Sequence, residues 1–372
     1  MDELLSRTKT SVGVVSLRWV LRLRLAVGFY PHLSTRAVLR AAARLYCIVL
    51  STTVITIYFS FFVEDRSLRK YFDLVYIINY AVCVYISLLT GEKDLFNFCK
   101  MIEQVDRKLG FPHLPLLTFR AKIMFLCIYL YETVKLIAFV FAIPRLDWKF
   151  FTICIISIAT SVHCIIQIIF LDLLRSRLAL LRQVFELNLK LDINSSTIMD
   201  SQIQNISECL KLYAILIDTL SENFFWSKLQ IIIRFTTCFA FCITKGAECV
   251  SRIKHAETLT GLFDQPLVLE TTNCFIRFIL ASLPAVFTEL IHWEEEKLKT
   301  VIANQLLDCE DCQYSSDDSL YAALTLAADY IQHRPFRLSL WNLLPLDASL
   351  VLTFAGFCTT YLIVVTQIFG II

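Results

Sequence analysis

Seven mainly apolar stretches recur along the chain, at 45–63, 74–90, 123–143, 150–171, 225–244, 267–291 and 348–371. Each is near the roughly 20 residues that carry a helix across a bilayer. No other sequence feature constrains the fold as strongly. Lipid offers no partner to backbone N–H and C=O groups, so a lone span must close its hydrogen bonds internally, as a helix does. Composition agrees, with 57% hydrophobic and 18% charged residues, against roughly 45–50% and 25% in soluble domains. The stretches at 225–244 and 267–291 are less sharply bounded, because they carry Lys228 and Arg234, then Glu270, Arg277 and Glu289. The expectation is an all-α, seven-transmembrane, multi-pass protein of the plasma membrane, with the lipid bilayer as its first partner. A net charge of +2 gives no basic footprint for nucleic acid.

Charge placement sets the expected orientation. With the N-terminus inside, the inner segments hold roughly 23 Lys and Arg and the outer ones roughly 8, with a cluster before the first span. The N-terminus is therefore expected to be cytoplasmic and the C-terminus extracellular. Arg18, Arg22 and Arg24 interrupt the apolar core that a cleaved signal needs. Residues 1–44 read instead as a cytoplasmic segment with a basic amphipathic helix on the membrane surface. Trp19, Trp148, Trp226, Trp293 and Trp341 fall near expected span ends or in adjoining segments, where amphipathic rings prefer to sit. Of 14 cysteines, only Cys249 falls in an expected outer loop, which excludes an extracellular disulfide framework. The Cys309/Cys312 pair lacks a second pair or a nearby His, so neither a metal nor a cofactor is expected.

The last stretch carries polar residues at helical spacing. Positions seven apart on a helix differ by only about 20° in direction, which aligns Thr353, Thr360 and Gln367 on one face and Thr359 with Thr366 on another. Polar groups inside a membrane face a bundle interior or a water path. Such a stripe suits either a pore built from copies of this helix or contact between packed helices.

The residues around this stripe resemble the carboxy-terminal signature of insect gustatory receptors, which is Thr-Tyr, five mainly hydrophobic residues, then Gln-Phe. Here Thr360 and Tyr361 are followed by "LIVVT" and Gln367, with Ile368 where the family usually has Phe and Phe369 one place on. Upstream, Leu346 and Asp347 match the family's turn into its final helix. The resemblance implies a ligand-gated, non-selective cation channel for small organic tastants, assembled as a homo- or heterotetramer with other gustatory receptor subunits. It implies a last span split into cytosolic and pore-lining parts. The chain then divides into 45–292, six helices with the ligand-binding bundle; 293–347, a cytosolic anchor helix and re-entry segment broken at Pro335 and Pro345; and 348–372, the pore helix. Gln367 and Ile368 take the place of the family's outer constriction, with Phe369 beside them. An apolar ring there can stop ions by dewetting.

By the same resemblance the ligand pocket lies among the second to sixth spans. Candidates at that depth are Tyr76, Asn79 and Tyr80, then Thr152 and Ser157, Thr236 and Thr237, and Asn273. The family's sugar-receptor branch has Glu after Thr-Tyr, where Leu362 stands here, so the resemblance favours a bitter-type or otherwise divergent receptor. Glu132 and Lys135, three apart, can neutralise each other on one helix face. Arg277 can pair with Glu270 or Glu289, and His163 and His292 read as structural. Acidic residues at 294–296, 308, 310 and 311 form a solvated helix face or a cation-attracting exit.

The competing seven-span reading, a G-protein-coupled receptor, requires an external N-terminus. It also expects an Asp/Glu-Arg-Tyr triplet after the third span and Asn-Pro-x-x-Tyr in the seventh, which the chain lacks. No His or Asp cluster suggests an enzyme. On the channel reading the sequons at Asn194 and Asn205 stay bare, and an epitope fused at Ile372 is labelled on intact cells. Glycan at either sequon with a hidden epitope would reverse the orientation.

Overall fold

The computed structural model describes residues 21–30, 37–64, 69–90, 93–111, 114, 118–142, 148–189, 196–223, 225–255, 265–311, 318–340 and 344–368. The main helices are α1 (Ala37–Glu64), α2 (Arg69–Thr90), α3 (Lys93–Lys108), α4 (Phe119–Ala142), α5 (Trp148–Leu189), α6 (Ser196–Asn223), α7 (Phe225–His255), α8 (Gln265–Asp311), α9 (Asp318–His333) and α10 (Ala348–Ile368). A two-stranded antiparallel hairpin, β1 (Ser339–Leu340) and β2 (Leu344–Pro345), links α9 to α10. The all-α expectation holds. By length and composition, the parts of α1, α5, α7, α8 and α10 that can cross a membrane are Ala37–Ser60, Phe151–Leu189, Ser227–Glu248, Thr271–Cys309 and Ala348–Ile368. Helices α2 and α4, of 22 and 24 residues, coincide with the second and third expected spans.

Three helices outrun the stretches read from hydropathy. At 42 and 47 residues, α5 and α8 are roughly 60 and 70 Å long, about twice a bilayer's hydrocarbon core. The helical period persists where mean hydropathy falls. Beyond Leu171, α5 buries Leu174, Leu178, Leu181 and Phe185, and its charges Asp172, Arg175 and Arg177 are held in ion pairs. The boundary placed between 292 and 293 therefore falls inside an unbroken helix, with Trp293 exposed on it and Lys297 over its ring at 3.8 Å. Helix α7 likewise continues to His255, so Lys245 and Cys249 lie on a helix rather than in a loop, and Lys245 pairs with Glu248 at 2.6 Å. Asn205 lies within α6, and Asn194 lies outside the described residues, as do Trp19, Trp341 and Cys312.

Helices α5 and α8 run parallel: Cys164 reaches Leu280, and further along both helices Arg182 pairs with Glu294 at 3.4 Å. Their C-terminal halves are wrapped by α3, α6 and α9, which share one continuous apolar core with them. Charge ties fix the wrapping. Arg177 on α5 makes a bidentate pair with Asp106 on α3, both bonds 2.8 Å and both side chains buried. Burial pushes the Asp106 carboxyl above its ordinary range, against the pull of the guanidinium. Thr118 donates to the buried Asp172, which also holds Arg175.

The route into α10 is held by Glu295, which is fully buried on α8. Its Oε2 accepts the Phe336 N–H at 3.0 Å, and its Oε1 lies 3.1 Å from the Tyr213 hydroxyl and 3.4 Å from Lys299 Nζ. Burial, then the neighbouring carboxylate, raises the Tyr213 phenol above its usual range. Phe336, Leu338, Leu340 and Leu346 sink into the core around this hub, and Leu346 N–H closes onto the Leu338 carbonyl at 2.9 Å. Asp347 then caps α10, its Oδ1 accepting from Leu350 N–H at 3.2 Å and Ser349 at 2.5 Å. Residues 21–30 tuck against α2: Gly28, at φ +91°, lets the chain turn where a Cβ would meet the Tyr80 hydroxyl at 2.9 Å.

Removing the Glu295 carboxylate strands the buried Phe336 N–H, at about 1–3 kcal/mol, and leaves a buried gap, while the Tyr213 hydroxyl keeps the Arg334 carbonyl at 3.0 Å. Glu295→Ala is expected to lower stability by about 3 kcal/mol, seen as a fall in melting temperature of the purified protein. Glu295→Gln, which keeps one acceptor, is expected to lose less.

Candidate ligand cavity and final helix

A cavity of about 510 Å³, its open mouth included, lies where five helices converge. Helix α2 contributes Asn79; α4 contributes Tyr131 and Glu132; and α5 contributes Ser157, Thr160, Ser161 and Cys164. Helix α7 adds Arg234, Thr237 and Cys238, and α8 adds Asn273, Arg277 and Leu280. Most of these lining residues carry a polar or sulfur atom in the side chain.

An ion pair organises one wall. Lys135 Nζ lies 2.7 Å from Glu132 Oε2, as the three-residue spacing predicts, and donates to Ser157 at 2.5 Å. Ser161 donates to Glu132 Oε1 at 2.7 Å, and Ser157 lies 3.3 Å from the other oxygen. A membrane-buried pair needs such extra hydrogen bonds to offset its desolvation. On the facing wall Asn273 Oδ1 accepts from the Tyr131 hydroxyl at 2.8 Å and from Arg277 Nε at 3.2 Å. The Arg277 guanidinium lies over Phe241 at 4.6 Å. Glu289, a pairing candidate for Arg277, is exposed twelve residues further along the same helix.

Pro284 shapes the same wall. It lies within α8 and has no N–H to offer the carbonyl four residues back. That carbonyl belongs to Leu280, and the Cys164 thiol approaches it at 3.2 Å from α5.

The base is a chain of neutral polar groups. Gln167 Oε1 accepts from Arg234 Nη1 at 2.8 Å, and its amide donates to Gln230 Oε1 at 3.2 Å and the Ser227 carbonyl at 3.4 Å. His163 Nε2 meets the same Gln230 oxygen, and the ring packs against Phe29 at 5.8 Å. His163 is thus part of this network. His292 lies near Glu295 and Glu296 on α8.

Of the eight residues named from sequence, Asn79, Ser157, Thr237 and Asn273 line the cavity. Three do not. Tyr80 is fully buried and donates to the Val27 carbonyl at 3.1 Å, holding the turn at Gly28. Thr152 is buried and bonds back to the Trp148 carbonyl at 2.9 Å. Thr236 is exposed and points away from the cavity that its neighbour lines, since adjacent residues on a helix differ by about 100° in direction. The eighth, Tyr76, has a side chain outside the described residues. Sequence reasoning missed Thr160, Ser161 and Cys164, although 157, 161 and 164 share the i, i+4, i+7 spacing of one helix face. It also treated Arg234 only as a blemish in a span.

Helix α10 is almost uncovered within one chain, although it is strongly apolar. Thr353, Thr360 and Gln367 are all exposed, and so are Tyr361 and Ile368. Phe369 lies outside the described residues. The second line splits: Thr359 is exposed, whereas Thr366 is buried and donates to the Leu362 carbonyl at 2.9 Å. The inner face rests on α7 and α8 through Phe354, whose ring meets Phe235 at 4.9 Å and stacks on Phe278 at 5.8 Å. Further along, Tyr361 meets Phe239 edge-on at 5.4 Å. Leu362 comes so close to α7 that a Cβ on Gly246 would lie 2.8 Å from its Cδ1.

No protein-family profile matches the chain, and no curated protein matches it by sequence. Solved structures do match by fold. The insect olfactory receptor OR5 from Machilis hrabei superposes with a TM-score of 0.63 at 13% identity, covering 96% of this chain and 99% of that one. The same receptor in complex with eugenol gives 0.60 at 14% identity, covering 96% and 98%. The chain therefore shares, over nearly its whole length, the helical fold of that insect olfactory receptor.

Breaking a buried pair by removing one partner typically costs about 3–5 kcal/mol. Glu132→Ala is expected to destabilise the purified protein by about that amount. Glu132→Gln with Lys135→Met is expected to recover most of the loss in a thermal double-mutant cycle. A double-variant loss equal to the sum of the losses of Glu132→Gln and Lys135→Met alone would show that the pair is not coupled.

Proposed function

We propose that the chain is a subunit of a tetrameric chemosensory channel of the insect gustatory-receptor kind, non-selective among cations and opened by a small organic ligand in the cavity. The observation that carries this reading is the exposed face of α10, an apolar helix whose three aligned polar side chains point away from their own chain. Four copies about an axis give those hydroxyls and amides a shared water path. The fold likeness to an insect olfactory receptor in complex with eugenol supports a ligand-operated role for the cavity. The Thr360–Ile368 signature supports the gustatory branch, and Leu362 in place of Glu favours a bitter-type over a sugar-type ligand.

In this reading the N-terminus and the C-terminal halves of α5 and α8 face the cytosol, and the C-terminus of the chain faces outward, in keeping with the Lys/Arg bias. Gln367 and Ile368 line the outer constriction, where an apolar ring closes the path by dewetting. Ligand binding among α2, α4, α5, α7 and α8 reaches the pore through α7 and α8, on which α10 rests.

Expression in cells with a calcium reporter tests it. A panel of small organic compounds is expected to evoke calcium entry, and Gln367→Ala to change relative ion permeability or the open fraction. Currents from Gln367→Ala that match wild type in conductance, selectivity and dose-response would remove the α10 stripe from the pore.

A further inference from the structure

Among the charged groups of the cavity, Arg234 stands apart. Glu132 is already committed: Lys135 lies 2.7 Å from one oxygen and Ser161 2.7 Å from the other. Among the described residues no carboxylate lies within 4.0 Å of Arg234. Its recorded polar neighbours are the neutral Gln167 oxygen at 2.8 Å and the Cys164 thiol. A guanidinium carries five N–H donors in a rigid fork, so these neighbours leave donors that line the cavity. Intramembrane charge without a counterion is costly and marks a ligand or ion pathway.

The surroundings hold Arg234 in place. Gln167 is pinned by its own amide bonds to Gln230 and the Ser227 carbonyl, so its oxygen is presented to the arginine. One turn further along α7, Thr237 lines the same cavity, and Asn79 lines it from α2. Arg277 contributes a second cation to the lining. We infer that the cavity takes a small organic anion, a carboxylate on a compact aromatic or aliphatic body, with the carboxylate forked onto Arg234 and the body toward Thr237 and Leu280. This names the ligand class within the chemosensory reading and rests on it. A planar guanidinium matches a carboxylate through two parallel bonds, which neither an ester nor an amide of the same body reproduces.

The purified full chain in lipid nanodiscs is titrated with benzoate, phenylacetate and the methyl ester of each, followed by thermal unfolding and direct calorimetry. At least one acid is expected to bind at least tenfold more tightly than its ester. Arg234→Gln is expected to lose at least tenfold in acid affinity with ester affinity unchanged, and Arg234→Lys to retain part of the preference. If Arg234→Gln does not fold, the wild-type acid–ester ratio and Arg234→Lys decide the matter. Esters that bind as tightly as acids would overturn the assignment. So would an acid preference that survives Arg234→Gln, or no binding by any of the four compounds. The channel reading fails separately: acid binding without ion flux in expressing cells leaves the anion site standing and removes the channel. Flux evoked equally by acid and ester, and indifferent to Arg234, does the reverse.

Discussion

Everything in this molecule hangs on two helices, α5 and α8, that are too long to end inside a membrane and lie side by side along their length. Their parallel packing gives the chain two ends with different chemistry. At one end apolar residues alternate with Ser157, Ser161, Asn273 and Arg277, and three further helices close around them to leave a cavity. At the other end the same helices present leucines and charges to α3, α6 and α9, which bury one common core. A polar group in lipid has no water to fall back on, and the cavity wall is built to that constraint. Glu132, Lys135 and two serines satisfy one another, and a thiol takes up the carbonyl that Pro284 leaves bare.

The membrane helices were legible in sequence because lipid imposes a composition that simple counting detects. The extensions of α5, α7 and α8 were not, because hydropathy and helicity part company at the membrane surface. Beyond Leu171 the charges of Asp172, Arg175 and Arg177 lower the hydropathy, yet the leucines between them keep the helical period. A window tuned to lipid reads that as an ending. Helix α6, amphipathic and wholly within one supposed connecting segment, was hidden in the same way.

The cavity was half legible. Depth along a span can be judged from sequence, and Asn79, Ser157, Thr237 and Asn273 all line the space. Facing cannot be judged without the packing. Thr236 and Thr237 are chemically identical neighbours, and only the contacts of α7 separate them. Tyr80 lies at the expected depth, but its hydroxyl serves the carbonyl of Val27 beside a glycine turn. Arg234 was visible throughout as an awkward charge, and its significance depended on which residues stood opposite.

The Glu295 hub and the Asp347 cap also set the mechanics of the last helix. Both fasten the chain just before α10 begins, whereas beyond them the helix meets its neighbours along one side only, through residues such as Val351, Phe354, Leu362 and Thr366. The arrangement is a rod clamped at its foot and leaning on a shallow rail. With 21 residues in the rod, its far tip stands roughly 30 Å from the clamp. A few degrees of pivot at the foot, too slight to disturb the packing around it, sweep that tip sideways by an ångström or more.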